Sequence, residues 1–209
     1  MSTGLFTSEH GEALPLAGAD LRLWARIDLG EDRGQLLRRL VDECAWQQQE
    51  ITLYGKTHLQ PRLSAWYGER GYRYSGIDHR PQPWTPLLQA LRRRVETVTG
   101  HRFNSVLLNY YRDHRDRMGM HSDDERALGE RPAIASLSLG ETRRLVLRHR
   151  TRKDLETVRL PLTCGSLLLM QGDTQVNWRH GIDAERGPGG ARVNLTFRRI
   201  VTPLQGERA

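Results

Sequence analysis

Apolar positions in the first half of the chain recur at helical spacing. In "GQLLRRLVDECAWQQQE", Leu36, Leu37, Leu40, Val41 and Cys44 fall on one side of a 3.6-residue period, which predicts an amphipathic helix over 34–48. Leu87, Leu88, Leu91, Val95 and Val98 predict a second helix over 85–98, with Gly100 just past its end as a stop signal. Beyond residue 100 the period shortens. "FNSVLLNYY" (103–111), "AIASLSL" (133–139), "RRLVLRHR" (143–150), "ETVRLPL" (156–162), "GSLLLM" (165–170), "TQVNWRH" (174–180) and "ARVNLTFRRI" (191–200) read as short strands set apart by glycine, proline or charge. "ITLYGK" (51–56) predicts a hairpin between the helical part and the strands, and residues 1–20 are expected to be loose. Helices first and many short strands afterwards imply an antiparallel sandwich or barrel with the helices buttressing one face.

The last strand carries the most information. Side chains alternate between faces, so Arg192, Asn194, Thr196 and Arg198 share one face of "RVNLTFR" and Val193, Leu195 and Phe197 the other. Two readings stay open: an edge strand with its arginines in water, or an arginine face looking into the barrel. The second requires an anion, because buried guanidinium groups are costly without one. In "VLLNYY", Asn109 and Tyr111 also share a side. A cavity lined by both strands would offer amide, hydroxyl and guanidinium donors suited to a small dicarboxylate.

Composition narrows the class without fixing it. A chain of 209 residues, 37% hydrophobic, suits one globular domain. No stretch reaches the length of a bilayer span, the N-terminal residues lack a secretory pattern, and two cysteines, Cys44 and Cys164, make no disulfide framework. The expectation is a cytoplasmic protein. A net charge of +7 and a pI near 10.0 favour an anionic partner such as nucleic acid. The 30 arginines against 2 lysines also fit the bias of a GC-rich genome.

Candidate chemistry centres on "MGMHSDDER" (118–126). His121 and Asp123, two residues apart in extended backbone, point to one side and can reach one metal; His180 in "NWRHG" is the candidate third ligand. Two histidines and one carboxylate on one face of an octahedral ion leave three positions open, the arrangement of non-haem Fe(II) oxygen chemistry. Zinc competes for three such ligands, but the dicarboxylate pocket favours iron.

"FNSVLLNYYRDHRDRMGMHSDDE", "PAIASLSLG", "GSLLLM", "NWRHGI" and "PGGARVNLTFRRI" together resemble the AlkB family of Fe(II)/2-oxoglutarate dioxygenases, and look closest to its branch acting on duplex DNA. The H-x-D pair, the distant histidine and R-x-N-x-T-x-R occur in the family's order over roughly two-thirds of the chain. The resemblance implies an α+β, mainly β fold: a double-stranded β-helix (jelly-roll) core over 103–200, a supporting helix within 85–102, a nucleotide-recognition lid over 51–84, and an N-terminal extension and helix over 1–50.

By the same resemblance, His121, Asp123 and His180 match the iron ligands, and Asn109, Tyr111, Arg192, Thr196 and Arg198 match the 2-oxoglutarate site, Arg192 as partner of the distal carboxylate. Asp124 matches an acidic residue near the substrate base. "ITLYGKTHLQPR" looks like a hairpin probing the DNA stack, which puts Tyr54, Gly55, Lys56 and Arg62 at the substrate and Tyr54 in the place of a wedge. "YRYSG" looks like a lid gripping a flipped base through Tyr72 and Tyr74, the latter standing where phenylalanine is expected. Ordinary packing of a lid, together with Trp66 and Tyr67, is the competing reading of these tyrosines. The implied activity is oxidative demethylation of N-alkylated bases, of the N1-methyladenine and N3-methylcytosine type, in alkylated DNA. It would use Fe(II), O2 and 2-oxoglutarate, without a membrane, as a monomer. The alternatives are an RNA demethylase with the same cofactors and a catalytically silent nucleic-acid-binding module.

Overall fold

The computed structural model describes residues 11–53, 56–69, 72–74, 77–79 and 81–201, with only the backbone described for 51–53, 56, 72–74 and 77–79. In chain order the strands are β1 (Glu12–Leu14), β2 (Asp20–Trp24), β3 (Glu50–Leu53), β4 (Lys56–Leu59), β5 (Leu63–Gly68), β6 (Tyr72–Tyr74), β7 (Ile77–His79), β8 (Ser105–Tyr111), β9 (Met118–His121), β10 (Ile134–Gly140), β11 (Arg143–His149), β12 (Val158–Leu162), β13 (Leu167–Gln171), β14 (Trp178–Ile182) and β15 (Arg192–Arg198). The helices are α1 (Arg33–Glu43), α2 (Pro86–Thr99) and a single turn α3 (Thr174–Asn177).

Antiparallel pairing gathers the strands into a seven-stranded major sheet, β1-β2-β13-β10-β15-β8-β5, and a four-stranded minor sheet, β12-β11-β14-β9. This is the expected mainly β jelly-roll. Two cores hold it. On the outer face of the major sheet, Leu36 and Leu40 of α1 and Leu88, Leu91 and Val95 of α2 pack with Leu137, Val193, Leu195 and Phe197. Between the sheets lie Leu107, Leu145, Leu147, Leu168, Met170 and Trp178. Burying each such side chain contributes about 1.5–3 kcal/mol.

Both helices begin on caps. The Asp32 carboxylate accepts from the Gln35 amide, and the Thr85 hydroxyl from Leu88. Gly100 ends α2 with φ 74°, in the left-handed region that glycine enters without penalty. Helix α1 stops five residues short of the expected 48. The Trp46 indole turns back to donate to the carbonyls of Leu40 and Val41, and Gln47 exchanges both backbone hydrogen bonds with Ser64 of β5. Sheet pairing overrides helix propensity there.

Three other expectations are corrected. Of residues 1–20, expected to be loose, 1–10 lie outside the described residues and the rest are held: β2, from Asp20, pairs with β13 inside the major sheet and β1 pairs with β2. The stretch 174–180 is not one strand, because Thr174–Asn177 forms a helical turn before β14. The barrel does not start at residue 103 either, since β5, inside the expected lid, pairs along its length with β8. The hairpin expected at 51–56 is present as β3–β4, and β6–β7 make a second. Among the described residues no helix is long and apolar enough to cross a membrane.

Candidate active site

Strand β15 settles which way its arginines look. It lies inside the major sheet between β10 and β8, with Val193, Leu195 and Phe197 under the helices. Alternation then sends Arg192, Asn194, Thr196 and Arg198 into the space between the sheets, and both arginines are only 1% exposed. Gly140 sits opposite Arg192 at the start of this pairing, where a β-carbon would collide with the Ala191 carbonyl. The pocket reading of the alternating face is therefore the one the fold adopts.

The facing minor sheet supplies the candidate ligands. His180 of β14 and His121 of β9 are direct cross-strand partners, with ring centroids 4.3 Å apart. Asp123 lies just beyond β9, fully buried, with its backbone N–H donating to the Gln175 side chain of α3 at 2.9 Å. Ligand atoms of His121, Asp123 and His180 all fall within 4.8 Å of one another. Nδ1 of His121 lies 3.0 Å from the Gly119 carbonyl; as a donor to it, that nitrogen orients the ring and makes Nε2 the ligand atom.

Electrostatics prepares these groups for a cation. Burial, with His121 next, pushes the His180 imidazole down to about 3, so it stays neutral with a lone pair to give. Burial also lowers His121, against the pull of Asp123. Burial alone would raise Asp123, but Arg198 and then the two imidazoles hold its carboxyl down at about 2. Arg198 Nη2 donates to Asp123 Oδ1 at 2.6 Å. The other oxygen, Oδ2, faces His180 Nε2 at 3.6 Å and is buried without a hydrogen bond, as is His180 Nδ1. Two neutral imidazoles and a carboxylate oxygen that converge without satisfying one another fit a divalent ion.

An anion site adjoins this cluster. Arg192 donates through Nη2 to Ser138 Oγ at 2.9 Å, while its Nε and Nη1 are buried with no partner. Its guanidinium stands 5.0 Å from the Tyr111 ring centroid. Asn194 donates to Ser136 Oγ, and Thr196 donates to the Asn194 carbonyl oxygen, so these polar groups are ordered. Tyr111, Arg192, Thr196 and Arg198 share one pocket with the three candidate ligands. Asn109 lies opposite Asn194 on the same face, but its Oδ1 accepts from Arg62 Nε at 2.7 Å. Arg198, expected at 2-oxoglutarate, is committed through Nη2 to Asp123.

The expected substrate residues are placed less uniformly. Arg62, expected at the substrate, is buried, and its Nε donates to Asn109. Asp124 is exposed beside Asp123, and its carboxylate accepts from Arg150 at 2.7 Å. Tyr54 and Gly55 lie outside the described residues, as do the side chains of Lys56, Tyr72 and Tyr74. Of the competing packing candidates, Trp66 and Tyr67 are core: Trp66 lies between the sheets and Tyr67 under the helices.

Sequence reasoning missed several contributors. Ser136 and Ser138, which alternate in "AIASLSL", were a readable signal of a small polar face. Arg143 was not readable: buried, it donates to the carbonyls of Asp113, Asp116 and Asp183, and its guanidinium stands 5.5 Å from the Tyr111 ring centroid. Glu125, next to the cluster, carries no motif of its own; burial, then Asp123, pushes its carboxyl up to about 7.

A jelly-roll with two histidines and an aspartate beside a buried, half-satisfied arginine has the make-up of a non-haem iron oxygenase that uses an acidic cosubstrate. The 2OG-Fe(II) oxygenase superfamily model matches residues 29–198. The alpha-ketoglutarate-dependent dioxygenase alkB homolog 3 of Rattus norvegicus is 43% identical over 188 residues, covering 86% of this chain and 63% of that protein. The DNA oxidative demethylase ALKBH2 of Mus musculus is 43% identical over 160 residues, 73% of this chain and 67% of that protein. A solved structure titled "The structure of OsALKBH1" shares the fold, with a TM-score of 0.59 at 16% identity, covering 90% of this chain and all of that one. The chain belongs to the AlkB family of 2OG-Fe(II) oxygenases. It spans 63% of the length of the rat homolog 3 protein, and equal identity to the two relatives does not choose a branch.

Proposed function

We propose that the protein is a DNA repair dioxygenase that removes methyl groups from the pairing edge of N-alkylated bases while converting 2-oxoglutarate to succinate. One observation carries the reading: a cation-ready cluster of His121, Asp123 and His180 shares a pocket with Arg192, whose buried Nε and Nη1 have no partner. Relatives named as a DNA oxidative demethylase and an alpha-ketoglutarate-dependent dioxygenase support it, as does the net charge of +7.

His121, Asp123 and His180 would hold Fe(II), and Arg192 would take the distal carboxylate of 2-oxoglutarate in a two-pronged bond, fixed by Ser138. When bound, iron with 2-oxoglutarate and O2 supplies an oxidation that turns an N-methyl group into a hydroxymethyl group, which leaves as formaldehyde. The chain's own part is positioning and charge. Arg198 keeps Asp123 ionised and fixes its orientation. Gln175 pins the Asp123 backbone, and the Gly119 carbonyl sets the His121 ring. Leu145, Leu162, Met170 and Ile182 line the pocket with apolar surface that excludes water. A base methylated on its pairing edge must leave the stack to enter, and bases that pair badly leave most cheaply.

The test is product release from one methylated sequence offered as single-stranded DNA, duplex DNA and RNA. Formaldehyde and succinate from either DNA form support the reading. Turnover of RNA alone would replace the substrate class, and turnover of none would overturn it.

A further inference from the structure

The outer face of the minor sheet has no role in the chemistry above. Register puts Arg144, Val146 and Arg148 of β11 on that face with Arg159 of β12 and Arg179 of β14, while Leu145, Leu147 and His180 point inward. Arg148 and Arg179 are direct cross-strand neighbours, an arrangement of like charges that is itself destabilising. Both are exposed, as are Arg144 and Arg159. Many arginines elsewhere on the surface sit in ion pairs: Arg39 with Glu31 and Glu43, Arg94 with Asp28, Arg115 with Asp113, Arg152 with Asp154. Among the described residues Arg148, Arg159 and Arg179 have no such partner, and Arg144 only reaches Glu185 at 3.6 Å. A composition rich in arginine explains the supply but not this segregation.

The face suits an extended polyanion. Strands lie about 4.8 Å apart and advance about 3.4 Å per residue, so the four arginines cover about 14 Å by 10 Å. A nucleic-acid strand places about four phosphates along that length. A protein partner would want an apolar anchor and few charges at its centre. Of the apolar side chains here, Val146 is only 2% exposed, in a groove that Arg144, Arg159, Arg186, Asp183 and Glu185 also line, and Pro161, opposite Arg144, is a lone exposed ring. The face also adjoins the site: Arg179 precedes His180, and two residues beyond Arg148 the side chain of Arg150 holds Asp124.

We propose that this face, centred on Arg148, Arg159 and Arg179, is a docking surface for the phosphate backbone of nucleic acid flanking the reacting nucleotide. The proposal rests on the reading of the substrate as nucleic acid. The test compares the wild-type chain with the triple variant Arg148→Gln/Arg159→Gln/Arg179→Gln and with the corresponding triple lysine variant. Fluorescence anisotropy reads binding to an unmethylated single strand of about 25 nucleotides between about 50 and 200 mM salt, and a methylated trinucleotide reads turnover. With about 0.7 counterions released per single-strand phosphate, the glutamine variant should lose about two from the slope of log affinity against log salt. That is about a 20-fold smaller change in affinity over the salt range. Lysine should restore the slope, since charge is what a phosphate reads. Trinucleotide turnover and melting temperature should match or exceed wild type. An unchanged slope and affinity in the glutamine variant would overturn the docking surface. Absence of trinucleotide turnover in the wild type would count against the repair reading alone, because the slopes judge the face independently.

Discussion

Replacing Arg198 with methionine isolates what holds the candidate metal ligand in place. Methionine fills similar length without charge, so packing changes little and the ion pair to Asp123 is lost. Arg198 is 1% and Asp123 0% exposed, and Nη2 and Oδ1 are 2.6 Å apart, so water cannot replace the missing partner. Breaking a buried pair from one side costs about 3–5 kcal/mol, a large part of the 5–15 kcal/mol typical of a whole domain. Urea denaturation followed by tryptophan fluorescence in the presence of a chelator should show that loss as a lower midpoint at unchanged slope. Saturating Mn(II), a redox-quiet stand-in, should narrow the gap to wild type, because the ion takes over compensation of the buried, unpaired carboxylate charge. A loss below about 1 kcal/mol in chelator, the range of exposed pairs, would refute the coupling between Arg198 and Asp123. A gap that Mn(II) leaves untouched would show that the carboxylate does not ligate.

Three further outcomes are expected. Arg192→Lys keeps the charge but loses the planar fork, so the KM for 2-oxoglutarate should rise by about tenfold or more, about 1.4 kcal/mol, while the KM for nucleic acid stays put. Steady-state kinetics in both substrates checks this, and an unchanged cosubstrate KM would detach Arg192 from the dicarboxylate. Burial pushes the Cys44 thiol up to about 11 from 9.0, so its alkylation by iodoacetamide near pH 8 should run about 100-fold slower in the folded chain than after unfolding. Stability should fall between pH 9 and 11, where only the unfolded chain releases that proton, and Cys44→Ala should shrink that limb to the part left by Tyr67, whose phenol burial also raises. Tyr54→Ala tests the wedge inferred from sequence: turnover of duplex should drop by roughly 10- to 100-fold with single strands spared, as loss of about 1–3 kcal/mol of stacking implies. Equal loss on both substrates would make Tyr54 a packing residue.

What could be read from the sequence followed from how local its signal was. The alternation from Arg192 to Arg198 was legible because every second residue is polar, although its direction became known only when α1 and α2 covered Val193, Leu195 and Phe197. Strand β5 hid its period: Trp66 enters one core and Tyr67 the other, so both faces are apolar and no alternation remains. Strands β1 and β2 are too short for a periodic signal beside Gly11, Pro15 and Gly18, and gain their order from β13. The triad was legible from residue type and order alone. Its supports were not: Gln175, Arg143 and the pairing of Arg198 with Asp123 act across 27 to 75 residues of chain, through contacts that exist only once the sheets close.

The most direct test of the central claim is the stoichiometry of products. Anaerobically loaded protein with Fe(II), 2-oxoglutarate and an oligonucleotide carrying N1-methyladenine would be exposed to O2, and succinate, formaldehyde and restored adenine counted. The account requires the three in equal amounts, with all three lost in His121→Ala, Asp123→Ala and His180→Ala while the far-ultraviolet spectrum keeps its wild-type shape. Restored base without succinate, or activity supported by zinc in place of iron, would contradict it.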